Sequence, residues 1–206
     1  PMTLPSFRLD GRVALVTGAS QGLGQSAALA LAEAGADIAV IDYAEATETV
    51  TQVEALGRRA HSIRLDLVQA TADDLEAAVA EVVMTLGRID VLVNNAGIIR
   101  RAPVLEHSAK DWDDVLAINL DAVFHLSQRV GHRFVAQGSG KIINIASMLS
   151  FQGGVFVPGY AASKHAVAGI TKSFANELAV HGVCVNAIAP GYMATENTAP
   201  IRADAA

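Results

Sequence analysis

The 206-residue chain is poor in the residues that mark several protein classes. It has one cysteine, Cys184, which excludes an internal disulfide and any zinc site built from several thiolates. Charged residues make up 17% and aromatic residues 5%, and no basic run exceeds two residues. With 15 Lys+Arg against 21 Asp+Glu the formal charge is −6, so nucleic acid is not an expected partner. No stretch of 18 apolar residues exists, and no transmembrane helix or membrane partner is expected. The opening PMTLPSFRLDG has no apolar core region and does not read as a signal peptide, so a cytoplasmic location is expected. The histidines are scattered without clustered carboxylates, and no metal site is expected.

What is present is apolar: 51% of the chain. Six short runs, rich in Val and Ile, read as strands buried on both faces: 13–17, 37–42, 61–66, 89–94, 141–147 and 183–188. Between them, 22–34, 46–56, 71–86, 111–137 and 160–181 carry helical periodicity. Alternation with connections too long for hairpins predicts right-handed βαβ units. The expected fold is α/β: one Rossmann-type, doubly wound parallel sheet in three layers, formed by a single domain over 1–206. Within the last run, Cys184 is expected to be a small buried hydrophobe.

Directly after the first run comes Thr17-Gly18-Ala19-Ser20-Gln21-Gly22-Leu23-Gly24. Glycines here permit a tight turn, and the helix that follows offers unpaired N–H groups to a pyrophosphate. Asp42 ends the second run, 18 residues past Gly24, where a carboxylate can accept the hydroxyls of an adenosine ribose. The glycine spacing is TGxxxGxG, not GxGxxG.

That pattern resembles the short-chain dehydrogenase/reductase family, and five further features follow in order. Asn94-Asn95-Ala96-Gly97 ends the fourth run, Asn119 sits in the long helix, and Ser147 ends the fifth run. Tyr160-x-x-x-Lys164 stands thirteen residues past Ser147, and Pro190-Gly191 follows the sixth run with Thr195 beyond. The resemblance implies a nicotinamide-dependent enzyme acting on CH–OH groups, with Asn119, Ser147, Tyr160 and Lys164 catalytic. It also implies a cofactor set of Gly18, Ser20, Gln21, Gly22, Leu23, Asp42, Asp66, Leu67, Asn95, Ala96, Gly97, Tyr160, Lys164, Pro190, Gly191 and Thr195. Asn94 would steady the central sheet, and Asp66 is either an adenine contact or a turn carboxylate.

The chemistry of Tyr-x-x-x-Lys is intelligible by itself. Residues four apart share a helix face, and an ammonium near a phenol favours the phenolate, so Tyr160 is expected to ionise below its usual range. Asp42 would repel a 2′-phosphate, and Gln21 offers no cation to hold one, so the expected cofactor is NAD.

Ile98-Ile99-Arg100-Arg101 and Met148–Gly154 resemble a narrower branch, the sugar-acid dehydrogenases. That branch includes 2-deoxy-D-gluconate 3-dehydrogenase, 2-dehydro-3-deoxy-D-gluconate 5-dehydrogenase and gluconate 5-dehydrogenase. Arg100 or Arg101 would bind the substrate carboxylate, and Gln152 the sugar hydroxyls, beside Ser147 and Tyr160. The alternative for the arginines is a solvated pair on a loop. Two other functions stay open: a 3-oxoacyl-thioester reductase, and a non-catalytic NAD sensor on the same fold. The family also implies a homo-oligomer, dimer or tetramer. Its members run longer, so a seventh strand and the C-terminal part of the domain are expected to be missing from these residues.

Overall fold

Runs of β-branched residues pair in parallel into one sheet whose order is β3-β2-β1-β4-β5-β6. The strands are β1 Val13–Thr17, β2 Asp37–Asp42, β3 Ala60–Arg64, β4 Val91–Asn94, β5 Gly140–Ile145 and β6 Val183–Ile188. The connecting helices are α1 Gly22–Glu33, α2 Thr47–Ala55, α3 Ala72–Leu86, α4 Ala109–Leu116, α5 Ala122–Gln137 and α6 Pro158–Leu178. This computed structural model describes residues 7–193. Starting at β1 the chain winds outward to β3, then returns to β4 and winds the other way. The carboxyl ends of β1 and β4 therefore border the crevice where doubly wound sheets bind ligands.

Alternate residues of β1, β2 and β4 feed separate cores. Val13 and Leu15 join Leu92 and Ile142 beneath Val79 and Val82 of α3 and Leu126, Val130 and Phe134 of α5. Ala14 and Val16 join Ile38, Val40, Val91 and Val93 beneath Ala28 and Ala32 of α1 and Val53 of α2. Because both faces of these three strands are covered, they read as continuous apolar runs and not as alternating ones. Leu15 is fully buried, and truncating it to Ala costs about 2–5 kcal/mol.

Local signals set the helix ends. Thr71 accepts from the Asp74 N–H while the Asp74 carboxylate accepts from the Thr71 N–H, a reciprocal cap on α3, and Gly87 closes that helix at φ +92°. Ser108 caps α4 through the Asp111 N–H, and Pro158 sits in the first turn of α6.

Four expectations need correction. The third strand starts at Ala60 and stops at Arg64, because Leu65 and Asp66 already turn toward the cleft. The fifth strand ends at Ile145; Ser147 is extended but opens a 3-10 turn over Met148–Ser150. The long helix is broken: α4 and α5 are separated by a π-helical turn, Ala117–Asp121. Cys184 is exposed. In β6, Val183 and Val185 face the core shared with Phe174 and Leu178 of α6, whereas Cys184 and Asn186 point to the opposite face. No seventh strand occurs among the described residues, and Thr195 lies outside them.

Candidate active site

The loop after β1 is shaped by close approach. Gly18 adopts φ +65°, and a Cβ there would sit 2.8 Å from the Ala96 Cα. A Cβ on Gly24 would run into the Gly18 carbonyl and the Asn95 amide. The Asn95 side chain donates to the carbonyls of Thr17 and Gly18 at 3.0 and 2.9 Å, and the Thr17 hydroxyl accepts the N–H groups of Asn95 and Ala96 at 3.0 Å each. The loop is thereby fastened to the end of β4. Gln21 makes no side-chain cap on α1, and the first turn holds no acidic residue, so its N–H groups face the cleft without a side-chain acceptor. Such a helix end suits a phosphate.

Asp42 closes this end of the cleft. Its carboxylate accepts the Ser20 N–H at 2.8 Å and the Ala44 N–H at 3.2 Å, binding the end of β2 to the phosphate loop. Thr49, fully buried in α2, donates to the Ala19 carbonyl at 2.7 Å and accepts from Gln25 at 3.0 Å.

The cleft encloses about 340 Å³. Every residue of the expected cofactor set from Gly18 to Gly191 lines it, with Gly24, Ile98, Ile99, Ile118, Ser147 and Met193 beside them. Asp66 lines it too, while its Oδ1 accepts the Val68 N–H at 3.0 Å, so the turn role also holds. The glycine cradle, the open helix end and Asp42 together fit a dinucleotide.

At the other end stand Ser147, Tyr160 and Lys164. Lys164 is 5% exposed; its ammonium donates to the Ile145 carbonyl at 2.5 Å and lies 5.6 Å from the Tyr160 ring centroid. Burial pulls its pKa down to about 8. Tyr160 departs from expectation: burial pushes its phenol above the usual range, and a hydrogen bond with Ser147 offsets only part of that rise. Removing water from the phenolate costs more here than the Ser147 hydrogen bond returns.

Asn119 occupies the π-helical turn, a local geometry concentrated at functional sites. It is fully buried; its Oδ1 accepts the Ile98 N–H at 2.9 Å, and its Nδ2 donates to the Ile98 carbonyl and the Ser163 hydroxyl at 3.1 Å each. Asn94 lies in a second buried network, donating to Ser127 at 3.0 Å and to Asn144 at 2.8 Å, with Asn144 donating to Thr171 at 2.9 Å.

The expected substrate residues are not gathered with the others. Arg100, Arg101 and Gln152 are on rim loops and do not line the cleft. Arg100 is drawn toward Asp111, at 3.5 Å, while Arg101 is exposed.

Several supporting residues escaped the sequence reading: Thr17, Gln25, Thr49, Ser127, Asn144, Ser150, Ser163 and Thr171. Most are small polar residues inside helices or strands, where no spacing distinguishes a buried hydroxyl from a solvated one. Thr17 alone carried a signal, as the last residue of a strand directly before a glycine loop.

Comparison with known proteins agrees with this geometry. The model of the family described as short chain dehydrogenase matches residues 12–206. A 2-dehydro-3-deoxy-D-gluconate 5-dehydrogenase of Escherichia coli is 56% identical, over 98% of this chain and 80% of that protein. A 3-oxoacyl-(acyl-carrier-protein) reductase of Staphylococcus aureus is 42% identical, over 90% of this chain and 76% of that protein. A crystal structure of a gluconate 5-dehydrogenase from Burkholderia cenocepacia, in complex with NADP and tartrate, superposes with a TM-score of 0.91. It is 40% identical and covers 97% of this chain and 78% of that one. The chain belongs to the short-chain dehydrogenase/reductase family and is a dehydrogenase acting on CH–OH groups through a nicotinamide cofactor.

Proposed function

We propose that the chain transfers hydride between NAD and a secondary alcohol or ketone of a sugar acid, of the 2-dehydro-3-deoxy-D-gluconate or gluconate type. The observation that carries the reading is the shared cleft: Ser147, Tyr160 and Lys164 stand at one end, and the glycine loop and Asp42 at the other. Bound nicotinamide supplies the hydride or takes it up. Tyr160 moves the proton of the substrate oxygen, Ser147 holds that oxygen, and Lys164 places positive charge beneath the phenol. Asn119 holds Ile98, which lines the cleft, and bonds Ser163 of α6.

The choice of NAD rests on Asp42, a fixed negative charge at the ribose end, and on uncharged Gln21. The sugar-acid substrate rests on the similarity to the Escherichia coli enzyme and on Arg101, which makes no ion pair among the described residues and can meet a carboxylate at the rim. We read the chain as one cytoplasmic, cofactor-binding domain, active as a homodimer or homotetramer through α5 and α6. There Phe124 and Val135 are each 36% exposed beside a groove lined by Gly131, Phe174 and Leu178.

The test is a steady-state panel: gluconate, 2-deoxy-D-gluconate, 2-dehydro-3-deoxy-D-gluconate and an acetoacetyl thioester, each with NAD(H) and NADP(H). Turnover of a sugar acid with NAD(H) at least about tenfold ahead in kcat/KM supports the reading. Preference for NADPH and the thioester would support the acyl reductase instead. Bound cofactor with no turnover of any ketone or alcohol would support a sensor. Arg101→Ala should raise KM for the sugar acid and leave cofactor affinity unchanged.

A further inference from the structure

Tyr160 and Lys164 ride on α6, whereas Ser147 hangs from the turn after β5. Their relative placement depends on whatever joins that turn to that helix. One side chain does so directly. The Ser150 hydroxyl accepts the Ser147 N–H at 3.2 Å and donates to the Lys164 carbonyl at 2.7 Å. Ser150 is 4% exposed, so water does not compete for either bond. The Ser147 hydroxyl in turn accepts the Leu149 N–H at 3.1 Å, which aims its oxygen while leaving its proton free to donate.

We propose that Ser150 is a positioning residue that sets the spacing between Ser147 and the Tyr160–Lys164 pair, acting through the Ser147 N–H and the Lys164 carbonyl. The proposal rests on the catalytic reading of those three residues. A buried hydroxyl that both donates and accepts is the shortest link between a main-chain donor on one element and a main-chain acceptor on another. An alanine at 150 satisfies neither group and lets the turn move against the helix. Displacement of a reacting group by about an ångström lowers turnover by up to ~100-fold without touching cofactor binding. It also alters the Ser147–Tyr160 hydrogen bond, which pulls the pKa of the phenol down.

The experiment compares the full chain with Ser150→Ala, Ser150→Cys and Ser150→Thr, with Ser147→Ala and Tyr160→Phe as benchmarks. Activity is read with NAD and 2-dehydro-3-deoxy-D-gluconate, and with NAD and gluconate. Phenolate absorbance of the cofactor-free protein, as the difference from Tyr160→Phe, follows Tyr160 independently of turnover. Expected for Ser150→Ala are a kcat reduced about tenfold or more, a cofactor KM within about twofold, and a Tyr160 titration displaced upward. Ser150→Thr, which keeps the hydroxyl, should restore both readouts toward wild type. If Ser150→Ala fails to fold, Ser150→Cys, similar in volume but a weak donor, carries the same expectations.

Unchanged kcat and titration in the folded Ala or Cys variant would overturn the proposal. So would a loss that disappears once rates are expressed per folded molecule. If the benchmarks themselves leave turnover intact, the catalytic reading fails, and not Ser150 alone. If wild type turns over neither sugar acid, the titration alone decides the proposal.

Discussion

Asn119 holds both main-chain groups of Ile98, accepting its N–H through Oδ1 and donating to its carbonyl through Nδ2. An amide matches a peptide group in this way because it offers one donor and one acceptor side by side. The contact joins the π-helical turn to the stretch after β4, where Ile98 lines the cleft.

Asn119→Asp replaces the donor with a second acceptor and sets a carboxylate against the Ile98 carbonyl. It should cost about 1–3 kcal/mol in stability, from unsatisfied buried groups. Catalysis should fall by about tenfold or more in kcat/KM, with cofactor affinity little changed. Urea unfolding and steady-state kinetics on the same preparation check both. A variant with full activity would show that the grip is not needed for turnover.

Two glycines of the phosphate loop should respond differently. Gly24→Ala drives a methyl group into the Gly18 carbonyl and the Asn95 amide, so the loop must shift and cofactor affinity should fall by at least about tenfold. Gly22→Ala meets nothing within 4 Å but must hold φ +62°, so its cost is backbone strain of about 1–2 kcal/mol. NADH fluorescence titration and thermal unfolding separate the two effects.

The ionisations of Tyr160 and Lys164 predict opposite pH limbs for the two reaction directions. Burial keeps the phenol protonated across the neutral range, so ketone reduction, which needs the acid, should be flat there and fall at high pH. Alcohol oxidation, which needs the phenolate, should rise with pH over the same range. A reduction rate that climbs with pH would contradict this.

Lys164 also predicts a gain. Its folded pKa of about 8 lies below the unfolded value, so the folded state disfavours the charged form. That penalty is fully present below pH 8 and is relieved as pH rises from about 8 toward 10.5. Lys164→Met should therefore raise the urea midpoint at neutral pH while reducing turnover by orders of magnitude, a trade of stability against activity. The gain should shrink as pH rises through that window.

Asp90, 6% exposed, fastens the amino ends of β1 and β4. Burial pushes its carboxyl up, but bonds from Arg88, the Val13 N–H and Arg12 outweigh that, and the net direction is down. Its stabilisation is present above the unfolded carboxylate range near pH 4 and is lost as pH falls through the folded pKa. Both arginines are nearly half exposed, so Asp90→Asn should cost only about 1–2 kcal/mol at neutral pH, less than for a fully buried pair. Acid titration of stability should be shallower in the variant.

The amino-acid sequence alone determined the strand–helix order, the parallel sheet and the glycine loop that borders the cleft. Each of these rests on a local rule. Two-sided burial demands runs such as Val13–Thr17, a phosphate-binding turn demands glycine, and a helix face demands Tyr160 and Lys164 four apart. Tertiary structure decided what depends on neighbours distant in sequence. The Tyr160 phenol is pushed up and not down because desolvation is a property of the packed cleft, invisible in a motif. Cys184 is exposed because the described residues cover β6 on one face only. The side chain of Asn119 finds its partner in Ile98, 21 residues away, and the joining of Ser147 to Lys164 depends on one buried hydroxyl whose partners only folding brings within reach.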